Sequence, residues 1–163
     1  MRWLKSWGWP LALIVFLQVM SDRGLLENGA PLPPIEGEMA DGQRYDGASL
    51  EKGPFLVYVW GSWCWVCRSM EGVISRVSKD HRVLTVALRS GDRATVADYL
   101  SHKGLAYPAL VDDSGQLADA LGVKGVPALF FVDGAGRIQS ATQGYTSEAG
   151  IRLRLWRLGR RDQ

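Results

Sequence analysis

Only two cysteines and two histidines occur among the 163 residues. Two cysteines are too few for a small scaffold stapled by several disulfides, so a hydrophobic core must hold this fold. The histidines, His81 and His102, are far more widely separated than the three to five residues usual between the paired ligands of a zinc site. The chain also lacks an excess of either charge, with net charge +2, and its basic cluster Arg152, Arg154, Arg157, Arg160 and Arg161 is confined to the C-terminus. A nucleic-acid role is not expected from that balance. No internal repeat is visible, and the length suits one folded domain.

One apolar run stands outside that domain. Arg2 and Lys5 precede a stretch from Trp7 to Met20 interrupted by Gly8, Pro10 and Gln18. As a helix it would cover about 21 Å, or about 27 Å if counted from Trp3 with Lys5 snorkelling. Length leaves a membrane anchor and a cleaved signal peptide both open. The candidate cleavage sites Val19-Met20-Ser21 and Asn28-Gly29-Ala30 fit the small-residue rule poorly, which favours an anchor. Basic residues ahead of the run put the N-terminus in the cytoplasm and the rest outside. The expected organisation is an anchor or signal segment over 1–20, a Pro- and Gly-rich tether over 21–40, and a domain over 41–163.

Within the domain, Gly42-Gln43-Arg44-Tyr45 is a weak edge strand. The run Phe55-Leu56-Val57-Tyr58-Val59-Trp60 is continuously β-branched or apolar, as a strand buried on both faces is. The spacing of Met70, Val73, Ile74 and Val77 predicts a helix that begins just after Cys64 and stops near Asp80. A strand over Val83 to Leu88, a helix from Asp92 to Ser101, the short strand Ala109-Leu110-Val111 and a helix from Asp113 to Leu121 follow. A hairpin then pairs Ala128–Val132 with Arg137–Thr142, and a helix from Ser147 to Arg160 closes the chain. This alternation predicts an α/β fold.

The chemistry lies in Cys64 and Cys67. A free thiol has a pKa of about 8.5 and is mostly protonated at neutral pH, whereas a helix N-terminus favours the thiolate. Cys64 stands at such an N-terminus and Cys67 one turn further on, a spacing that lets the first thiol attack a disulfide and the second resolve the product. A Cys-x-x-Cys pair is also half of a zinc site, but the other half is missing. Two thiolates can also suffice for copper(I), and a structural pair with an idle disulfide is a third reading.

The segment Trp60-Gly61-Ser62-Trp63-Cys64-Trp65-Val66-Cys67 resembles the active site of thioredoxin-like proteins. Gly122-Val123-Lys124-Gly125-Val126-Pro127 resembles that family's cis-proline segment. Tyr107-Pro108-Ala109-Leu110-Val111-Asp112, Gly144-Tyr145-Thr146-Ser147-Glu148 and the N-terminal run together look like the membrane-anchored bacterial TlpA-like group, nearest its suppressor-of-copper-sensitivity branch. The resemblance implies a thioredoxin fold with a mixed sheet flanked by helices and a single-pass protein of the bacterial cytoplasmic membrane with its domain in the periplasm. It also implies exchange with protein thiols and disulfides, a membrane electron donor of the thiol-transfer type, and no bound cofactor. Cys64 and Cys67 would then be catalytic, and the backbone of Val126 and Pro127 would dock substrate. Trp63 and Trp65 are further candidate contacts, with Trp60 and Trp63 supporting the active-site turn and Trp156 covering core. Tyr58 departs from the family, whose thioredoxins carry a buried Asp there. Ala128-Leu129 departs too, from the acid that follows the cis-proline in cytochrome c maturation reductases. The dipeptide Trp65-Val66 brings no positive charge beside Cys64, which leans the reading toward a reductant.

Overall fold

The computed structural model describes Leu25 and residues 29–47 and 53–161. The N-terminal apolar run and its proposed role as anchor lie outside these residues. Among the described residues, no helix is long and apolar enough to cross a membrane.

The central sheet has five strands: β3 (Phe55–Trp60), β4 (Val83–Leu88), β5 (Ala109–Asp112), β6 (Ala128–Val132) and β7 (Ile138–Gln143), numbered after a short ribbon of β1 (Gly37–Glu38) and β2 (Arg44–Tyr45). Their spatial order is β5-β4-β3-β6-β7. β3 runs parallel to β4, and β4 to β5, whereas β6 pairs antiparallel with both β3 and β7. The sheet is therefore mixed, with β3 at its centre.

Both faces are covered. Leu56, Tyr58 and Trp60 point into a core built with helix α1 (Trp65–Asp80), helix α2 (Arg93–Lys103) and helix α4 (Glu148–Arg161). Phe55, Val57 and Val59 point the other way, toward helix α3 (Gln116–Ala120) and the segment before β1. Burial on both sides explains the unbroken apolar run of β3, where every residue is buried. α1 is further tied to α4 by Glu148, whose carboxylate accepts hydrogen bonds from Arg76 Nε at 2.8 Å and Arg152 Nε at 2.9 Å. Those two bonds hold its carboxyl below the usual carboxylate range.

Four expectations are corrected. Residues 29–40 are no loose tether. Gly29 N–H donates to Ile138 O and Leu32 N–H to Gly136 O beside β7, while Ala40 N–H donates to Ala109 O beside β5. The segment thus crosses the sheet from one edge to the other, burying Ile35 and Met39 beneath it. An extended strap has no apolar period, and its prolines read as linker. The weak strand at Arg44–Tyr45 pairs with Gly37–Glu38 and not with the central sheet.

The helix expected from Asp113 begins three residues later, at Gln116. Asp113, Ser114 and Gly115 form the turn into it, with Gly115 at φ 83°. Buried Asp112 caps this helix, accepting from Ala118 N–H at 2.8 Å and Leu117 N–H at 3.3 Å. Replacing Asp112 by Ala leaves buried donors without an acceptor and is expected to cost about 1–2 kcal/mol, read as a lower urea midpoint at unchanged slope.

Finally, Trp156 is 53% exposed and does not cover core. The buried stripe of α4 is Ile151, Leu155 and Leu158, which points Trp156 outward, where the Arg160 guanidinium lies 5.0 Å from its ring centroid.

Candidate active site

β3 delivers the chain to the site. Its last residue, Trp60, is buried, and its indole N–H donates to Thr85 Oγ1 of β4 at 3.1 Å. The turn Gly61–Trp63 follows, closed by Cys64 N–H donating to Gly61 O at 3.0 Å. A side chain at position 61 would displace Trp63, because a Cβ there would lie 2.6 Å from its indole. Trp63 therefore rests its ring on Gly61 and donates its indole N–H to Leu88 O at 3.3 Å. It remains 58% exposed, so it is at once anchored and available to a partner. Trp65, between the two cysteines, is 73% exposed.

Cys64 is the N-cap of the 16-residue helix α1. Its Sγ accepts from Cys67 N–H at 3.1 Å, in the position where an N-cap oxygen ordinarily sits. The first turn carries no acidic residue to oppose a negative charge there. Cys64 and Cys67 form a disulfide with Cα atoms 5.3 Å apart. They are not equivalent: both border the core shared by α1 and β3, but Cys64 is 7% exposed at the N-cap and Cys67 is 2% exposed one turn further in. When the bond is reduced, the helix N-terminus stabilises charge on Cys64 while burial disfavours it on Cys67.

Across the site, Cys64 Sγ lies 3.6 Å from the carbonyl oxygen of Val126. The Val126–Pro127 peptide is cis. Gly144 N–H donates to Pro127 O at 2.8 Å, which ties the loop before β6 to the end of β7. The next residue, Tyr145, is 59% exposed. The fold thus brings Trp63, Cys64, Trp65, Cys67, Val126 and Pro127 to one end of the sheet.

Tyr58 is buried in the same core as Cys67, and its hydroxyl has no hydrogen-bond partner among the described residues. Burial first, then the charges of Glu71 and Tyr99, push that hydroxyl far above its ordinary pKa, so Tyr58 stays neutral and supplies no carboxylate. Four residues beyond Cys67 on α1, Glu71 accepts a hydrogen bond from Tyr99 OH. Sequence reasoning missed Ser90. Its buried hydroxyl accepts from Ser62 N–H at 3.0 Å in the turn before Cys64. No local pattern announces a bond between residues 28 positions apart. Among the described residues, no group of three or more His, Cys, Asp and Glu side chains gathers to hold a metal ion.

Comparison with known proteins agrees with this geometry. A "Thioredoxin-like protein" of Haemophilus influenzae is 33% identical over 117 residues, covering 71% of this chain and 70% of that protein. "Thiol:disulfide interchange protein DsbE" of Xylella fastidiosa is 32% identical over 71 residues, which is 43% of this chain and 36% of that protein. Among solved structures, a secreted thiol-disulfide isomerase from Corynebacterium glutamicum superposes with TM-score 0.72 over 79% of this chain and 85% of its own, at 21% identity, a likeness of fold. The AhpC/TSA family model matches residues 28–141. The chain belongs to the AhpC/TSA family and is a thiol:disulfide oxidoreductase of the thioredoxin fold, with Cys64 and Cys67 as its Cys-x-x-Cys pair.

Proposed function

We propose that this oxidoreductase is held in the bacterial cytoplasmic membrane by residues 1–20, faces the periplasm, and reduces disulfides of partner proteins. The observation that carries the exchange chemistry is the asymmetry of the pair: Cys64 caps a long helix at the rim, and Cys67 is buried one turn below it.

In the reducing direction the Cys64 thiolate attacks one sulfur of a substrate disulfide. That S–S bond breaks, a mixed disulfide forms on Cys64, and the first substrate sulfur leaves as a thiolate and takes up a proton. Cys67 then loses its proton and attacks Cys64 Sγ. The Cys64–Cys67 bond forms, the second substrate thiolate leaves, and two electrons have passed to the substrate. A dithiol donor in the membrane restores the reduced pair by the reverse exchange. The substrate backbone lies along Val126 and Pro127, with Trp63 and Trp65 against the residues flanking its cysteine.

The apolar run behind Arg2 and Lys5, without a good cleavage site, supports the anchor and its orientation. The absence of a positive charge from Trp65-Val66 supports the reducing direction. The test is reduction of a protein disulfide by the full-length protein, with its equilibrium against glutathione measured in parallel. Turnover should fall to the uncatalysed rate in Cys64→Ser, and the pair should be harder to reduce than glutathione. A Cys64→Ser variant that turns over like the parent would end the exchange reading. A pair more oxidising than glutathione would reverse the direction, and recovery of the protein in the soluble fraction after Ser21 would remove the anchor.

A further inference from the structure

The strand next to the site ends in a feature that the exchange chemistry does not use. At the end of β4 the chain turns through Arg89, which has φ 44° and is the only non-glycine at positive φ among the described residues. That conformation is strained for a side-chain-bearing residue. Gly91, two residues on, also lies at positive φ, 93°. Between them stands Ser90, only 6% exposed.

The turn aims the Ser90 hydroxyl at the segment that presents Cys64. Ser90 Oγ accepts from Ser62 N–H at 3.0 Å and donates its proton to Leu88 O at 3.1 Å. Leu88 O also accepts the Trp63 indole N–H, at 3.3 Å. The turn before Cys64 therefore hangs from the end of β4 by the backbone of Ser62 and the ring of Trp63, and both bonds converge on the Ser90–Leu88 pair. The turn's internal bond, from Cys64 N–H to Gly61 O, fixes its shape but not its position against the sheet. Position matters because the field of a helix N-terminus fades within one turn. Cys64 Sγ must meet Cys67 N–H at 3.1 Å and stand beside Val126 O at 3.6 Å at the same time.

We infer that Ser90 is a positioning residue for Cys64: its hydroxyl holds the Ser62 backbone so that the reduced sulfur stays at the helix N-terminus as a thiolate. This rests on the reading of Cys64 as the attacking thiol. The Ser90 hydroxyl bonds Ser62 N–H and Leu88 O, not a cysteine, and acts through Ser62. Without its hydroxyl, the Ser62 N–H loses its acceptor and only the Trp63 ring still ties the turn to β4.

The experiment compares reduced full-length protein with Ser90→Ala and with Ser90→Thr, which restores a hydroxyl. The rate of Cys64 alkylation by iodoacetamide is followed against pH, and the melting temperature is measured alongside. Ser90→Ala should raise the pH midpoint and slow alkylation at pH 7 about threefold or more, following the lost thiolate fraction, and Ser90→Thr should recover most of the rate. An unshifted midpoint in Ser90→Ala would overturn the inference, whatever happens to the melting temperature, because a scaffold role moves only the latter. An equal shift in both variants would make the effect one of packing and overturn it too. If the wild-type Cys64 itself titrates like a free cysteine, the reading of Cys64 fails and takes this inference with it. A shifted wild type with an unshifted Ser90→Ala fails this inference alone.

Discussion

Trp60→Ala is expected to be among the most damaging single substitutions in the domain, costing about 3–5 kcal/mol and lowering the melting temperature by about 10 °C or more. The side chain is 1% exposed and is the largest of the fully buried ones among the described residues. It packs against Tyr99 at 5.5 Å and edge-on to Tyr107 at 6.3 Å between ring centroids, so its loss opens a cavity that aromatic walls cannot easily close. Its indole N–H is also satisfied by Thr85 Oγ1, which itself donates to Pro108 O and so ties β3, β4 and the chain before β5 together. Trp60→Phe keeps much of the volume and loses that bond, and should cost about half as much or less. Thermal unfolding of the three proteins checks the order. Because Trp60 is the last residue before the active-site turn, Trp60→Ala should also slow exchange in the fraction that remains folded. Melting within a few degrees of the parent would mean that the core beside the site is looser than its burial implies.

The strands of this fold were legible because burial on both faces leaves a compositional trace. Phe55–Trp60 and Val83–Leu88 are apolar from end to end, and their limits coincide with those expected. Helix α1 was legible for a different reason: its buried residues Met70, Val73, Ile74 and Val77 repeat at the helical period. The strap over 29–40 was misread because an extended segment lying flat on a sheet buries Ile35 and Met39 without any period. Trp156 was expected to cover core, but the stripe of Ile151, Leu155 and Leu158 decides which way α4 faces and leaves Trp156 outside it.

The site divides along the same line. Cys64 and Cys67 are local in sequence, and the strand before them and the helix after them place them at a helix N-terminus without outside information. Val126 stands 62 residues from Cys64, and only the family resemblance connected the two. Ser90 had neither a local pattern nor a family motif to mark it, since its role depends on two strands lying side by side. Tyr58 marks a further limit. Its departure from the usual acid was visible in the sequence, but only packing reveals a neutral hydroxyl sealed beside Cys67's core, with Glu71 and Tyr99 paired nearby.

The second large effect concerns the two thiols. With Cys67 replaced by Ser, Cys64 keeps its place as the cap of α1 and can still attack, but the intramolecular escape is gone, so partner proteins should accumulate as mixed disulfides on Cys64. With Cys64 replaced by Ser, the remaining thiol is the one 2% exposed in the core, where burial opposes its ionisation and the approach of a disulfide. A copper(I) carrier built on the same pair would behave differently: each single variant would lose metal comparably, and neither would collect thiol-sensitive adducts. The most direct measurement is a non-reducing gel of membranes from cells expressing each variant, with the bands that vanish on reduction identified. Adducts abundant in Cys67→Ser and scarce in Cys64→Ser are the expected result, whereas equal trapping by both variants, or none by either, would contradict the division of labour between Cys64 and Cys67.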